Sequence, residues 1–285
     1  MVPRDSPFPL TVSVPWRWIP PLLADGVSQM AIDALLLQQL TAAGAGGRPA
    51  LRLYGWRRPT LSLGYHQRQL EPHWPALAAA GRIALVRRPS GGRAVLHAGE
   101  LTYALVQPAT GRRVEVYAQA CQWLLQAFAD LGQPLHWGAA SPRLAQQRSS
   151  CFGTATAADL VHVTGAKRIG SAQLWRGGHV LQHGSVLLAP PADLWQEVFG
   201  SAPPALPPLP VGWPELTARL RAAAEQHLCP SGLEEEPLSQ AEWAEVACQR
   251  GFYGLEDAEA PLLEAETSGL ESSDRATVSR AMPSG

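Results

Sequence analysis

Three strand-like segments follow one another closely between residues 160 and 188, and this spacing constrains the fold more than any other feature. Their sequences are LVHVTG (160–165), RIGSAQLWR (168–176) and GHVLQHGSVLL (178–188). The Arg-Gly-Gly turn between the last two predicts a tight β-hairpin, because glycine accepts the positive φ angles that such turns require. Segments joined by such short connections are expected to pair in an antiparallel sheet.

Helical and strand-like patterns are both present in the rest of the chain. Apolar residues at helical spacing predict a helix over 28–43, with Ser28 as its candidate N-cap, and another over 114–131. Short β-like runs are predicted at 51–56, 60–65, 83–88, 94–97 and 101–106. Together these patterns predict an α+β fold in which helices flank a mixed, largely antiparallel sheet.

Composition shifts divide the chain into five regions. The proline-rich stretch SAPPALPPLPVGWP suits neither helix nor strand and predicts a linker. Two helical stretches after it, at about 214–228 and 239–251, predict a small C-terminal unit, and the polar end predicts a disordered tail. The expected regions are an N-terminal extension (1–24), a main domain (25–200), a linker (201–214), a small helical unit (215–262) and a tail (263–285).

Charge and cysteine usage exclude several functional classes. The net charge of −1 leaves no electrostatic footprint for nucleic acid. No apolar run approaches the roughly 18 residues of a membrane span, and the proline-interrupted N-terminus lacks a signal-peptide core. The four cysteines form no C-x-x-C pair, so neither a zinc site nor a disulfide framework is expected. We therefore expect a cytoplasmic protein that binds neither nucleic acid, membrane nor metal.

One cation differs from all the others. Of the 23 lysine and arginine residues, only Lys167 is a lysine. Arginine is a planar, permanently charged fork, whereas lysine carries a compact ammonium that adapts to its surroundings. The count alone leaves two explanations open, which are codon bias and a chemical need at this position.

Two segments could carry chemistry ahead of this lysine. In RRPSGGRAVLH (87–97) adjacent glycines let backbone N–H groups approach a ligand, and the arginines suit a phosphate or carboxylate. The alternative is an ordinary Gly-Gly hairpin with solvated arginines. In SSCFGTATAADL, Cys151 could be an accessible loop thiol with a lowered pKa or a half-buried, unreactive one.

The segment around Lys167 is the third that could carry chemistry. Small residues at Gly165, Gly170, Ser171 and Ala172 leave room for a ligand chain to lie against the backbone. His183 follows on the next predicted strand, where a histidine by itself is more often structural than catalytic.

These segments, in this order, resemble the biotin/lipoate protein ligase superfamily, and within it the branch of lipoate-protein ligase A and LipM-like octanoyltransferases. RRPSGGRAVLHAGELTY resembles the arginine and glycine ligand loop of that branch. TGAKRIGSAQ and LQHGSVLL resemble its lysine segment and following strand, and MAIDALLL resembles its opening helix. The resemblance covers about residues 25–200 and implies a catalytic domain with the family's sheet and helices.

The segment SSCFG narrows the activity that the resemblance implies. A cysteine followed by phenylalanine, just ahead of the lysine segment, resembles the motif of the octanoyltransferases. The ligases instead carry a sequence like Arg-Asn-Asp in that region, which this chain lacks. The implied reaction moves octanoyl from acyl carrier protein to Cys151, and then to a lysine of a lipoyl domain in glycine cleavage H protein or a 2-oxoacid dehydrogenase E2. Lys167 would favour the Cys151 thiolate and hold the acyl carbonyl. The reaction needs no cofactor, whereas a ligase would need ATP and magnesium.

The resemblance also assigns the pocket residue by residue. Arg88, Ser90, Gly91, Gly92 and Arg93 are expected to line the acyl or carrier-arm pocket, with His97 behind them. The opposite wall is expected to consist of Gly170, Ser171, Ala172 and Gln173, and His183 is expected to contact the substrate.

Three other functions remain open from the sequence. The chain could be a lipoate ligase in which Cys151 is incidental, or an amidotransferase that moves octanoyl between lipoyl domains. It could also be a non-catalytic module that carries or senses the acyl group. The presence of Cys151 together with Lys167 argues against a pure binder, because binding alone needs no nucleophile.

Overall fold

A computed structural model of the chain describes residues 14–139, 152 and 156–255. Within these residues the chain forms eleven strands and seven α-helices. The strands are β1 (Trp16–Ala24), β2 (Ala50–Trp56), β3 (Thr60–Leu63), β4 (Ala84–Arg87), β5 (Val95–His97), β6 (Glu100–Pro108), β7 (Leu135–Trp137), β8 (Leu160–His162), β9 (Lys167–Arg176), β10 (His179–Leu187) and β11 (Leu233–Glu235). The helices are α1 (Gly26–Ala43), α2 (Trp74–Ala79), α3 (Arg113–Gln119), α4 (Gln122–Asp130), α5 (Ala192–Phe199), α6 (Trp213–His227) and α7 (Gln240–Gln249).

The strands form two sheets. The main sheet has the order β11-β1-β2-β6-β10-β9-β8-β7, and the small sheet has the order β4-β3-β5. In the main sheet β1 is parallel to both β11 and β2, and the other neighbours are antiparallel. The predicted α+β fold with a mixed, largely antiparallel sheet is confirmed.

The predicted hairpin joins β9 to β10, in the half of the main sheet that carries the lysine segment. Its two turn glycines, Gly177 and Gly178, have φ angles of 53° and 76°. Positive φ at both central positions is the geometry of the two-residue turns that match the twist of antiparallel strands. The glycines therefore fix the register of β9 against β10.

Strand β6 shows how the main sheet separates its two faces. Leu101, Tyr103 and Leu105 pack in the core that α4 and α6 cover, whereas Ala104 and Val106 pack against α1 on the opposite face. This alternation follows from the two-residue period of a strand. Each fully buried leucine or valine in these cores contributes about 1.5–3 kcal/mol to folding.

A third core joins the small sheet to the rest of the chain. Leu61 and Leu96 of the small sheet pack with Trp74 of α2, Trp195 of α5 and Phe152. The same cluster includes Leu187 of β10, so it joins the small sheet to the main sheet.

The N-terminal residues differ from the expected extension, because β1 lies inside the main sheet between β11 and β2. Pro20 and Pro21 fall where the register against β2 shifts, and the pairing with β11 covers only residues 16–18. Proline lacks a backbone N–H and is tolerated in strands at bulges and unpaired edges. These prolines hid the strand from pattern analysis.

The C-terminal elements contact the main core directly. Leu216 and Leu220 of α6 are buried in the same core as α4, α7 packs on α1, and β11 pairs with β1. The Arg168 guanidinium also donates to carbonyls of Leu187 in β10 and Pro207 in the proline-rich segment. The expected tail, 263–285, lies outside the described residues.

Helix boundaries differ from the predictions in two places. The Asp25 carboxylate, rather than Ser28, caps α1 and accepts a hydrogen bond from the Ser28 backbone N–H at 2.9 Å. The helix predicted over 114–131 is two helices with a break at Ala120 and Cys121. Cys121 is buried there, and burial raises the pKa of its thiol to about 12. None of the described helices is long and apolar enough to cross a membrane.

A pH-dependent ion pair ties α7 to β1. Arg17 NH1 donates to Glu242 Oε1 at 2.6 Å, and this bond, outweighing the effect of burial, lowers the pKa of Glu242 to about 2. The unfolded value is about 4.3. Because the folded pKa is the lower one, the pair stabilises the fold above the unfolded pKa and loses its contribution as pH falls towards 2.

We therefore expect Glu242→Gln to lower the thermal unfolding midpoint at pH 7. The difference from wild type should shrink between pH 5 and pH 2, where the wild-type carboxylate also becomes neutral. Differential scanning calorimetry over this range measures both midpoints. A difference that stays constant with pH would contradict the linkage.

Candidate active site

A cavity opens between the small sheet and the face of the main sheet that α1 covers. It contains about 470 Å³ of empty space, including its open mouth. From the glycine segment, Arg88, Gly91, Gly92 and His97 line it. From β9 and β10 the lining residues include Gly170, Ser171, Ala172 and His183.

Three further residues that were expected in the pocket do not line this cavity. The Ser90 hydroxyl is buried behind the wall, hydrogen-bonded to Nε2 of His183. Arg93 contributes its backbone carbonyl, which accepts a hydrogen bond from Arg88 NH2 at 2.7 Å. The Gln173 side chain donates to Oε1 of Gln182 at 2.8 Å. Their positions support the wall from behind.

Sequence reasoning missed several lining residues, among them Ser62, Thr102 and Ser185. The register places Thr102 of β6 opposite Ser185 of β10. The two-residue period of β10 puts Ser185 on the same face as His183. That periodicity could have predicted Ser185 as a lining residue. Ser62 belongs to the other sheet, and no sequence pattern connected it with the cavity.

Arg88 shapes the glycine loop. The side chain is buried and donates to the Ser62 carbonyl at 2.9 Å and to the Gly91 carbonyl at 2.8 Å. Gly92 has a φ of 101°, and a Cβ on Gly64 would lie only 1.9 Å from the Gly92 carbonyl oxygen. Glycine is therefore required at both positions, and the guanidinium fixes the loop against β3.

The Asp33 carboxylate joins α1 to two strands of the main sheet. It lies 2.8 Å from Arg52 NH2, 3.1 Å from the Tyr54 hydroxyl and 2.8 Å from Nδ1 of His183. Burial by itself would raise the pKa of Asp33, but the Arg52 charge and the His183 hydrogen bond outweigh it, and the pKa is lowered. The ionised carboxylate thus holds His183 in place at the cavity wall.

A second histidine–carboxylate pair lies on the other side of the cavity. Nδ1 of His97 is 2.6 Å from Oε1 of Glu100, and Nε2 is 2.7 Å from the Ser62 hydroxyl. The indole ring of Trp56 stacks on the His97 ring with centroids 3.8 Å apart. The imidazole is therefore fixed in one orientation.

The single lysine lies at the Gly170 end of the cavity. Lys167 is buried, and its Nζ is 2.8 Å from Oδ1 of Asp159 and 4.7 Å from the centre of the Phe152 ring. A Cβ on Gly170 would lie 2.8 Å from this Nζ. Cys151 lies outside the described residues, but it directly precedes Phe152 in the sequence.

Among residues 14–139, 152 and 156–255, no three His, Cys, Asp or Glu side chains lie close enough together to hold a metal ion.

Comparison with known proteins places this geometry in a family. The profile of the lipoyl protein ligase A/B catalytic domain matches residues 25–203. The chain belongs to this family. The resemblance found in the sequence is thereby confirmed.

Curated members of the family are similar along much of the chain. An octanoyltransferase LipM from Kyrpidia tusciae is 35% identical over 281 residues, which cover 94% of each chain. An octanoyltransferase LipM from Carboxydothermus hydrogenoformans is 40% identical over 185 residues. That match covers 62% of this chain and 66% of the relative, so the chain spans slightly under two thirds of that relative's length.

A solved structure shows the same fold. A bipartite lipoate protein ligase from Thermoplasma acidophilum superposes with a TM-score of 0.63 at 17% identity, covering 83% of this chain and 92% of that one. At this identity the likeness concerns the fold alone.

The tight packing at Gly170 gives a test of the site in this family member. In Gly170→Ala the new methyl group would meet Lys167 Cε at 2.5 Å and Nζ at 2.8 Å, so the ammonium must move. Because misplacing a reacting group by about 1 Å can cost about 100-fold, we expect the activity of this site to fall on the order of 100-fold.

Gly251→Ala is the matched control, since a Cβ at Gly251 meets nothing within 4 Å. The activity and the thermal midpoint should be measured for both variants. Unchanged activity in Gly170→Ala would show that the position of Lys167 does not matter.

Proposed function

We propose that this chain is an octanoyltransferase of lipoate assembly. It moves octanoyl from acyl carrier protein to the lysine of a lipoyl domain through a thioester on Cys151. The observation that carries the proposal is the position of Lys167, whose ammonium contacts the ring of Phe152, the residue next to Cys151, at one end of a cavity. The relatives named octanoyltransferase LipM favour the same activity.

In the first half-reaction the Cys151 thiolate attacks the carbonyl carbon of the octanoyl thioester. A bond from the Cys151 sulfur to the acyl carbon forms, and the bond to the carrier's thiol sulfur breaks. A thiolate is the reactive form of cysteine, and a nearby cation stabilises it. The Lys167 ammonium supplies that cation and a hydrogen-bond donor for the carbonyl oxygen.

The cavity gives the acyl chain a place to lie. Gly170 and Ala172 from β9 leave the wall without large side chains, and Gly91 and Gly92 bring backbone close from the other side. Met30 and Val95 add apolar surface. An eight-carbon chain is recognised by burial of its apolar surface, which contributes about 0.8 kcal/mol per CH₂.

In the second half-reaction the ε-amine of the acceptor lysine attacks the Cys151 thioester. An amide forms and the thiol is regenerated. Since the change from thioester to amide is downhill, the transfer requires neither ATP nor metal. The acceptor is a lipoyl domain, such as glycine cleavage H protein or a 2-oxoacid dehydrogenase E2.

Intact-protein mass spectrometry tests the proposal. Wild type mixed with octanoyl-acyl carrier protein, without ATP, should gain an octanoyl adduct that hydroxylamine removes. Cys151→Ser, handled identically, should gain no hydroxylamine-labile adduct and should not octanoylate a lipoyl domain.

Other outcomes identify the alternatives. If no adduct forms, but ATP with free lipoate or octanoate modifies a lipoyl domain, the chain is a ligase and Cys151 is incidental. If the adduct forms only from an octanoylated lipoyl domain, the chain is an amidotransferase. Binding of octanoyl protein without any transfer would identify a non-catalytic module.

The choice of lysine over arginine can be tested directly. The Lys167 ammonium contacts Asp159, Gly170 and Phe152, and a planar guanidinium is bulkier than the compact ammonium that occupies this space. We expect Lys167→Arg to fold but to form the acyl-enzyme roughly 100-fold more slowly. Intact-protein mass spectrometry of samples quenched at successive times gives the rate of acyl-enzyme formation. An unchanged rate would favour codon bias as the reason that position 167 is a lysine.

A further inference from the structure

The mechanism above leaves one buried ionisable pair without a role. His97 and Glu100 are both largely hidden from solvent, yet both are polar and His97 borders the cavity. Burying such groups costs free energy unless they are paired and hydrogen-bonded. Both side chains are hydrogen-bonded, to each other and to neighbouring hydroxyl groups.

The network has a direction. When Nδ1–H of His97 donates to Oε1 of Glu100 at 2.6 Å, Nε2 is left as an acceptor. The Ser62 hydroxyl, 2.7 Å away, then donates to Nε2 and itself accepts from Arg88 NH1 at 3.2 Å. Ser62, His97 and Glu100 therefore form a proton relay that ends at the cavity wall.

The charge balance of this relay differs from that of His183, the other histidine at the cavity wall. Asp33 behind His183 is already matched by the buried Arg52 guanidinium. Within the described ranges, the only ion pair of Glu100 is with His97, while Thr102 and Ser185 add hydroxyl donors. A proton that arrives on His97 is therefore paired directly with the Glu100 carboxylate.

Strand register places the relay close to the reacting groups. Ser185 of β10 pairs directly with Gly170 of β9, and adjacent strands lie about 4.8 Å apart. The Lys167 ammonium occupies the space over Gly170 where a Cβ would point, and Cβ atoms of directly paired residues share one face of the sheet. The Ser185 hydroxyl lies 3.4 Å from Nδ1 of His97, so Ser185 links the relay to the strand position opposite Gly170.

The second half-reaction needs a group of this kind. An acceptor lysine arrives as an ammonium, which has no lone pair and cannot attack a thioester until it loses a proton. The Lys167 ammonium is already engaged in its ion pair with Asp159. A separate proton acceptor at the cavity wall would speed this step.

We propose that the Ser62–His97–Glu100 relay accepts the proton of the incoming lysine ammonium, an inference that rests on the proposed function. One proton leaves the nitrogen for the Ser62 oxygen while the Ser62 hydrogen passes to Nε2 of His97. The freed lone pair forms the C–N bond, and the C–S bond to Cys151 breaks. The second proton on the nitrogen goes to the leaving sulfur, which regenerates the thiol.

A second cavity gives the proton on His97 a way out. It is lined by Arg57, Gly99, Glu100 and Pro191, among others, and meets the first cavity at His97. Water in this opening can take the proton at the end of each turnover, which resets the relay without reopening the acyl pocket.

The test measures the two half-reactions separately. Each protein is first loaded from octanoyl-acyl carrier protein, and the loading rate is followed by intact mass. A lipoyl domain is then added, and transfer is measured in a single turnover. A general base typically contributes about 10²–10⁴-fold, so His97→Ala should transfer on the order of 100-fold more slowly while loading falls less than about tenfold.

Three further readouts separate proton transfer from a structural effect. Free imidazole should restore at least about tenfold of the transfer rate of His97→Ala, because it replaces the lost base. Ser62→Ala should lose a similar amount, and the double variant should transfer no more slowly than either single variant, since members of a relay act as a unit. Glu100→Gln, which keeps the shape, should slow transfer but not loading.

His183→Ala is the matched comparison, because it removes the other histidine at the cavity wall. In His183→Ala the loading rate and the transfer rate should fall by the same factor, and free imidazole should restore neither rate. If His97→Ala behaves in the same way, the relay only supports the pocket and the inference is overturned. If wild type itself forms no adduct, the proposed function fails and the relay with it, which is a distinguishable result.

Discussion

The buried Asp33 carboxylate is the contact on which the rest of the site depends. It joins helix α1 to Arg52 and Tyr54 on β2 and to His183 on β10, so one side chain fixes the helix, the sheet and a cavity wall together. Removing one member of a buried pair leaves an uncompensated charge, which typically costs about 3–5 kcal/mol. The position of α1 over the main sheet, and therefore the shape of the cavity, follows from this contact.

The same sheet serves two purposes because its strands alternate. On β6 the leucines and Tyr103 complete the apolar core under α4 and α6, while Thr102 faces the cavity. On β10 Ser185 and His183 share that cavity face. The rigid core on one face thus holds the polar groups of the other face in fixed positions, which is how a scaffold preorganises a site.

The two histidines show how environment divides otherwise similar groups. Each is held through Nδ1 by a carboxylate and through Nε2 by a serine hydroxyl. Arg52 matches the charge behind His183, whereas Glu100 relies on His97 itself. Their hydrogen bonding is alike and the charge balance behind them differs, and the proton-accepting role is proposed for His97 on that difference.

The sequence by itself determined the fold class, the β9–β10 hairpin, the family and the segments that meet at the cavity, because these depend on local pattern and ordered motifs. Tertiary structure alone showed that residues 16–24 form a strand, because the prolines at the bulge of β1 break the sequence pattern. It alone also showed that Lys167 pairs with Asp159. It also decided that Ser90, Arg93 and Gln173 support the wall while Ser62 lines it. Contacts such as Ser90 with His183 and Arg88 with Ser62 join residues distant in sequence, and only tertiary packing brings them within hydrogen-bonding distance.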